Sequence, residues 1–486
     1  MSACVAGSDI EVDNDEPEQA PTDPPDPGHP TPAPADGDPQ QTPTDPPDPA
    51  PANDDRRGAA ARPRMNPTTW IAVGSALNGV GAFAFQVVGT RSLGATGYAP
   101  IGVLWTLQYL WVAVAVTALE AYVTRLVTTG GPASTDLARF LRLFGRWLVA
   151  AAILAGLIGV LLAGPLFEGL TQLGMVLGLV VLGFGWYGVV RGRAAGMGRF
   201  RAYGLATIAE STVRLVAAVA VLLVVTSTTS LAWAMPIGPL AVGLWAWLRG
   251  HQVGRRPVTD PAAPAGGEQA VGTGRRFLAA ASTANAAVQF LLAGGPLVLL
   301  PLGADPASVA VFFTTITAAR VPMTFALNGG LSRVLPPLTR LAQAGDGAGL
   351  RRAALRVVVG IALLAAAAAV GAAAVGPLAM ELVFGAEFRP DRTFVVVVAI
   401  STVLAVGGLL LDQVYIAMAR EATLPRIWLS AVALAGVLVL ALPGSPTMRV
   451  AVAFGTATAV AVAALSLPLL RGSLALRYPG DGDLEG

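Results

Sequence analysis

The chain has 486 residues, of which 54% are hydrophobic and 13% charged, with a mean hydropathy of +0.62 and a formal net charge of +2. A soluble globular domain would carry charge on about a quarter of its residues, so this composition excludes one and points to an integral membrane protein. A single cysteine, Cys4, excludes a disulfide framework or a cysteine-based metal site, and the two histidines, His29 and His251, lie in polar segments. Hydrolytic or metal-dependent chemistry has little to work with, and no cofactor or metal is expected.

In chain order the first segment is polar. Residues 1–64 are rich in Pro, Asp and Thr, with PTDPPDP at Pro21 and again at Pro43. They lack the apolar content to form a core and are expected to be a disordered acidic tail, either an interaction segment or a plain solvated extension. A signal peptide would need a basic start and an apolar run, and the first such run begins only at Trp70. The near-neutral total conceals an asymmetry: residues 1–55 contain fourteen acids and no arginine, whereas residues 65–486 contain 28 arginines against sixteen acids.

Twelve apolar runs follow, each near the roughly 20 residues needed to cross about 30 Å of hydrocarbon. Six fall within 65–248, at 70–90, 100–127, 147–164, 171–190, 205–226 and 231–248. Six more fall within 277–470, at 277–301, 307–330, 353–376, 393–418, 426–442 and 449–470. The third and eleventh are short. Residues 249–276 link the two sets, and 471–486 form a short tail. The fold class expected is an all-α integral membrane protein of about twelve transmembrane helices.

Arginine clusters precede the first run (Arg56, Arg57, Arg62, Arg64) and follow every even-numbered one, as with Arg139, Arg142 and Arg146 after the second and Arg191, Arg193, Arg199 and Arg201 after the fourth. The intervening loops, such as TSTTS at 226–230, are poor in arginine. Basic loops stay inside, so both termini are expected in the cytoplasm of a multi-pass protein of the cell membrane.

The two sets also match each other. Leu93-Gly94-Ala95 pairs with Leu302-Gly303-Ala304, Gly164-Pro165-Leu166 with Gly376-Pro377-Leu378, Thr124-Arg125-Leu126 with Thr339-Arg340-Leu341, and Met197-Gly198-Arg199 with Met418-Ala419-Arg420. Six helices is an even number, so duplicated halves share orientation and form parallel lobes about an axis normal to the membrane. Such an architecture places a site between the lobes near the midplane and works by alternating access.

The runs VVGTRSLGATGYAPIG (87–102), GMGRFRAYGLATIAES (196–211) and ELVFGAEFRPDRTF (381–394) resemble the Wzx-type polysaccharide flippases of the multidrug/oligosaccharidyl-lipid/polysaccharide exporter superfamily. The resemblance covers residues 66 to about 470. It implies two six-helix bundles around a cavity, often cationic, that moves polyprenyl-pyrophosphate-linked oligosaccharide from the cytoplasmic to the outer leaflet. The long acidic tail departs from that family, whose chains usually begin near the first helix.

Charges within the spans supply the candidate site. At 1.5 Å per residue, Glu210 lies about 8 Å and Arg214 about 14 Å from the inner end of their span, and Arg320 about 20 Å from the outer end of its own. Charges at such depth should face a bundle interior or water. One deep arginine comes from each lobe, and Arg214 and Arg320 together would offer a diphosphate two guanidinium forks. The rival reading pairs Arg214 with Glu210, four residues before it on the same helix face. Arg125 with Glu120, and Arg333, are candidates for a cytoplasmic entrance or for snorkelling to headgroups, and Arg91 is expected to snorkel on the outer side. Asn78, Asn285, Gln289 and Asn328 are candidates to bind sugar hydroxyls or to join helices. Glu210 and Asp412 are the candidates for coupling to a proton or sodium gradient.

Three other functions stay open at this stage. A multidrug antiporter of the same fold would be expected to place carboxylates, rather than guanidiniums, deep in its cavity. A lipid II flippase and a non-transporting scaffold for polysaccharide assembly are the others, while a membrane enzyme would need catalytic acids on a substantial loop. The longest loop, 249–276, holds only Asp260 and Glu268. The partners expected are membrane lipids, a lipid-linked oligosaccharide and, through the acidic tail, polysaccharide assembly proteins, with no nucleic acid.

Overall fold

The computed structural model describes residues 67–253, 282–418 and 420–471, with side chains throughout except at 67–68, 250–253, 322–336, 339, 342 and 343. The expected acidic tail, nearly all of the linker and the C-terminal tail lie outside the described residues. Among the described residues every regular element is helical, as hydrocarbon demands of a backbone that must pair its own amides.

The first helical run, α1 (Pro67–Trp111), continues through a π turn (Val112–Val116) into α2 (Thr117–Gly130). It is not one rod. Gly94 has a φ of 68°, and the rings of Phe85 and Trp105 lie 5.6 Å apart between centroids, whereas a straight helix would separate these residues by about 30 Å. The chain folds back at Gly94, so the 62-residue apolar run Thr69–Gly130 supplies two crossings.

The first half continues with α3 (Thr135–Leu161), the short α4 (Ala163–Phe167), α5 (Thr171–Gly196), α6 (Phe200–Val224) and α7 (Thr228–Val253). The second half contains α8 (282–293), α9 (Gly295–Leu299), α10 (Pro306–Gln343), α11 (Gly347–Phe384), α12 (Arg392–Ala417), α13 (Leu424–Ala441) and α14 (Pro446–Arg471). Nine helical runs among the described residues are long and apolar enough to cross a membrane. The doubled first run, the shorter apolar start of α10 and the broken α8–α9 segment account for the rest of the twelve.

Helix ends depart most from the hydropathy pattern. α3 begins twelve residues before its apolar run because the Ser134 hydroxyl accepts the Leu137 N–H and starts the helix there. Arg139, Arg142 and Arg146 therefore project from a helical turn, not a loop. Asp346 and Asp391 cap α11 and α12 in the same way, accepting from Gly349 and from Thr393 and Phe394.

The duplicated halves pack alike. α3 packs on α5, α5 on α7, α6 on α7 and α2 on α5; correspondingly α11 packs on α12, α12 on α14, α13 on α14 and α10 on α12. The matched Leu-Gly-Ala motifs share a backbone too, with Gly94 at φ 68° and Gly303 at φ 72°. These are two parallel six-helix lobes, joined mainly where α1 meets α10. Large apolar side chains on the outer helices, such as Leu161 at 72% and Val370 at 70%, stay exposed where acyl chains would cover them.

Candidate functional site

The buried charges of α6 anchor the site. Glu210 and Arg214 are each 2% exposed, with Arg214 Nη1 3.4 Å from Glu210 Oε1, so the i, i+4 pair forms. A third group joins it from α1. The Asn78 amide faces two acceptors and is oriented nitrogen-first, donating to Glu210 Oε2 at 3.0 Å and to the Thr207 carbonyl at 3.2 Å. α7 closes in at Gly238, where a Cβ would lie 2.2 Å from the Glu210 carbonyl oxygen.

Arg214 also lies over an aromatic face, its Cζ 4.5 Å from the Trp105 ring centroid. Trp105 leans on Tyr109 one turn later, at 5.3 Å. On the far side of Tyr109 is the other lobe: Arg320 of α10 sets its Cζ 5.0 Å from the Tyr109 centroid and donates to Gln289 Oε1 of α8 at 3.2 Å. The two deep arginines thus belong to one array, but as the ends of a ladder with two rings between them. Arg214 is closed off behind Trp105 and Glu210, and in this conformation only the partly buried Arg320 stands at the seam between the lobes.

The π turn completes the seam. It displaces the backbone of α1, and Asn285 of α8 crosses from the opposite lobe to donate to the Ala113 carbonyl at 3.2 Å. Several buried polar atoms of the two arms of α1 make no hydrogen bond within the described residues, among them the Trp105 Nε1, the Tyr98 hydroxyl and the Gln86 and Gln108 side-chain oxygens. Groups of this kind can exchange hydrogen bonds with hydroxyls or water.

Other sequence candidates lie elsewhere. Asn328 and Arg333 are on α10, but their side chains lie outside the described residues. Arg125 is exposed on α2 and is not the partner of Glu120. Glu120 instead pairs at 3.3 Å with Arg191 of α5, which also contacts the Tyr203 hydroxyl and lies over the rings of Tyr203 and Tyr187 at 4.5 and 5.3 Å. The fourth apolar run ends at 190, which puts Arg191 in a cytoplasmic loop, but α5 runs through Gly196 and makes it a helix residue. Asp412, the other coupling candidate, lies in the second lobe on α12. It is 6% exposed, and both its oxygens accept from Trp428 Nε1 of α13, at 3.1 and 3.2 Å.

No family model matches the chain, and no curated protein matches it. Solved structures do. One is the inward-facing conformation of a multidrug resistance MATE family transporter of the MOP superfamily, with a TM-score of 0.56 and 14% identity over 84% of this chain and 95% of that one. The chain has the MATE transporter fold. The MATE multidrug transporter DinF-BH matches with a TM-score of 0.56 and 15% identity, over 83% of this chain and 94% of that one. A MOP superfamily transporter from Pyrococcus furiosus, described as having a binding pocket of reverse polarity that suggests a different function, matches with a TM-score of 0.54 and 13% identity, over 85% and 98% of the two chains. The MATE fold brings Arg320, Gln289 and Asn285 of one lobe against Tyr109 and Ala113 of the other.

Proposed function

We propose that this chain is a transporter that carries an anionic, glycan-bearing lipid across the cell membrane by alternating exposure of the seam between its lobes. The substrate class this reading favours is polyprenyl-pyrophosphate-linked oligosaccharide, as in the Wzx-type flippases that the sequence resembles. The observation that carries it is the polarity of the seam: the guanidinium of Arg320 lies between the lobes, over the Tyr109 ring, in reach of a phosphate fork. Buried amide, indole and phenol groups of α1 that make no hydrogen bond within the described residues suit sugar hydroxyls. Glu210 and Asp412 are then the carboxylates through which a cation gradient would act, and both termini, with the acidic tail and any assembly partner, lie in the cytoplasm.

A second reading, drug export by a cation antiporter of the same fold, is favoured by neighbours such as DinF-BH, itself a multidrug transporter. Leaflet-resolved detection of the lipid-linked oligosaccharide in cells with and without the protein separates the two. Accumulation on the cytoplasmic face upon deletion is the expected result. An unchanged distribution, with lowered tolerance to cationic dyes, would replace the flippase reading with the antiporter.

A further inference from the structure

Two of the stretches that carry the family resemblance, 87–102 and 381–394, are far apart in sequence and in contact in space. Each lobe caps a helix end of the other. Glu387, in the loop after α11, accepts the Ala95 N–H at 2.6 Å. That amide opens the second arm of α1 just after the Gly94 bend, where first-turn donors lack helical partners and a carboxylate is favoured by the helix dipole. In return Arg91, at the end of the first arm, donates from Nε to the Val383 carbonyl at 2.9 Å and from Nη2 to the Leu382 carbonyl. Both carbonyls belong to the last turn of α11, where acceptors are unpaired and a cation is favoured.

The bend itself is fitted to this contact. Gly94 has φ +68°, and a Cβ there would lie 2.8 Å from Glu387 Oε2, so a side chain is disfavoured by conformation and by space. Apolar contacts back the polar ones. Phe83 of α1 meets the buried Phe384 edge-on at 5.6 Å, and Tyr98 meets Phe313 of α10 at 6.3 Å. The polar contact lies at the Gly94 bend and the last turn of α11, remote from the arginine-rich loops, and its hydrogen bonds make Arg91 a bridge between the lobes rather than a snorkelling headgroup anchor.

We propose that Arg91, Glu387 and the Gly94 bend form a latch that holds the seam shut on that face and must release before cargo leaves there. Its purpose rests on the transport reading above; its action is testable without it. With Cys4→Ser as background, spin labels at Ser92→Cys and Ala386→Cys, both exposed positions, report the distance across the latch by pulsed electron resonance in lipid nanodiscs. One short distance should dominate in the otherwise unaltered protein. Glu387→Ala removes a charge-assisted hydrogen bond and should raise the long-distance population about tenfold. Arg91→Ala should act in the same direction, and Glu387→Gln, whose amide oxygen still accepts, should fall between.

A distribution unmoved by both Glu387→Ala and Arg91→Ala would overturn the latch, whether or not transport persists. Distances that lengthen while the leaflet distribution of lipid-linked oligosaccharide is the same with and without the protein would uphold the latch and remove only the flippase reading.

Discussion

Removing one member of the Glu210–Arg214 pair should destabilise the protein more than the pair's own local position suggests. At 3.4 Å, with both side chains 3% exposed, the attraction is about 5 kcal/mol at an effective dielectric constant of about 20. Glu210→Ala leaves the guanidinium with only the Trp105 and Phe85 faces it already had, so nothing replaces the carboxylate. Water drawn toward the charge returns part of the loss, leaving about 3 kcal/mol, the lower end of what breaking one side of a buried pair costs. The test is a double-mutant cycle with Glu210→Ala, Arg214→Ala and the combined variant, unfolded in mixed detergent and SDS micelles and followed by the fluorescence of the nine tryptophans. A favourable coupling energy near 3 kcal/mol is expected; a value under about 0.5 kcal/mol would show the residues to be independent and refute the reasoning.

Four further outcomes are expected. Arg320→Ala should abolish transport of the lipid-linked oligosaccharide while the protein still inserts, and Arg320→Lys, lacking the planar fork over Tyr109, should recover only part; full activity in Arg320→Ala would sink the seam reading. Gly238→Val should destabilise by about 3 kcal/mol in the same unfolding assay, because its Cβ would meet the Glu210 carbonyl oxygen at 2.2 Å, and native-like stability would contradict that close approach. Trp428→Phe strips both Asp412 oxygens of their donor and should cost about 2 kcal/mol, mostly recovered by adding Asp412→Ala. Ser134→Ala should cost about 1 kcal/mol and speed amide exchange in the first turn of α3; unchanged exchange at Leu137 would remove the cap from the account.

What the sequence made legible depended on range. The Glu210–Arg214 pair could be read because i, i+4 spacing is fixed by the helix itself. The twelve crossings could be read because apolar length is a local sum, and the duplicated lobes because motifs recurred at nearly constant offset. Glu120 stands with Arg125 in the sequence only as a candidate for the cytoplasmic entrance, and its actual partner, Arg191, is on another helix 71 residues away, a separation no local spacing reports. Arg91 looked like a headgroup anchor because its acceptors are main-chain carbonyls, which carry no side-chain signature in any sequence. Asp412 could be picked out as a carboxylate within a span, but depth alone does not reveal Trp428 on the neighbouring helix. The start of α3 was missed because hydropathy marks where hydrocarbon lies, while a cap such as Ser134 decides where helix begins.

The π turn at Val112–Val116 has a geometric effect on everything after it. A π turn inserts one extra residue into an α-helix, and one residue advances an α-helix by about 100°. The second arm of α1, which presents Trp105 and Tyr109 to the arginines, and α2, which presents Glu120 to Arg191, are therefore phased independently although they are one continuous helical run. Deleting a single residue from this turn would rotate α2 by about that angle, carrying Glu120 off the α5 side while leaving the aromatic ladder where it is. The extra residue acts as a mechanical offset, letting one helix address two partners whose bearings differ by more than regular periodicity allows.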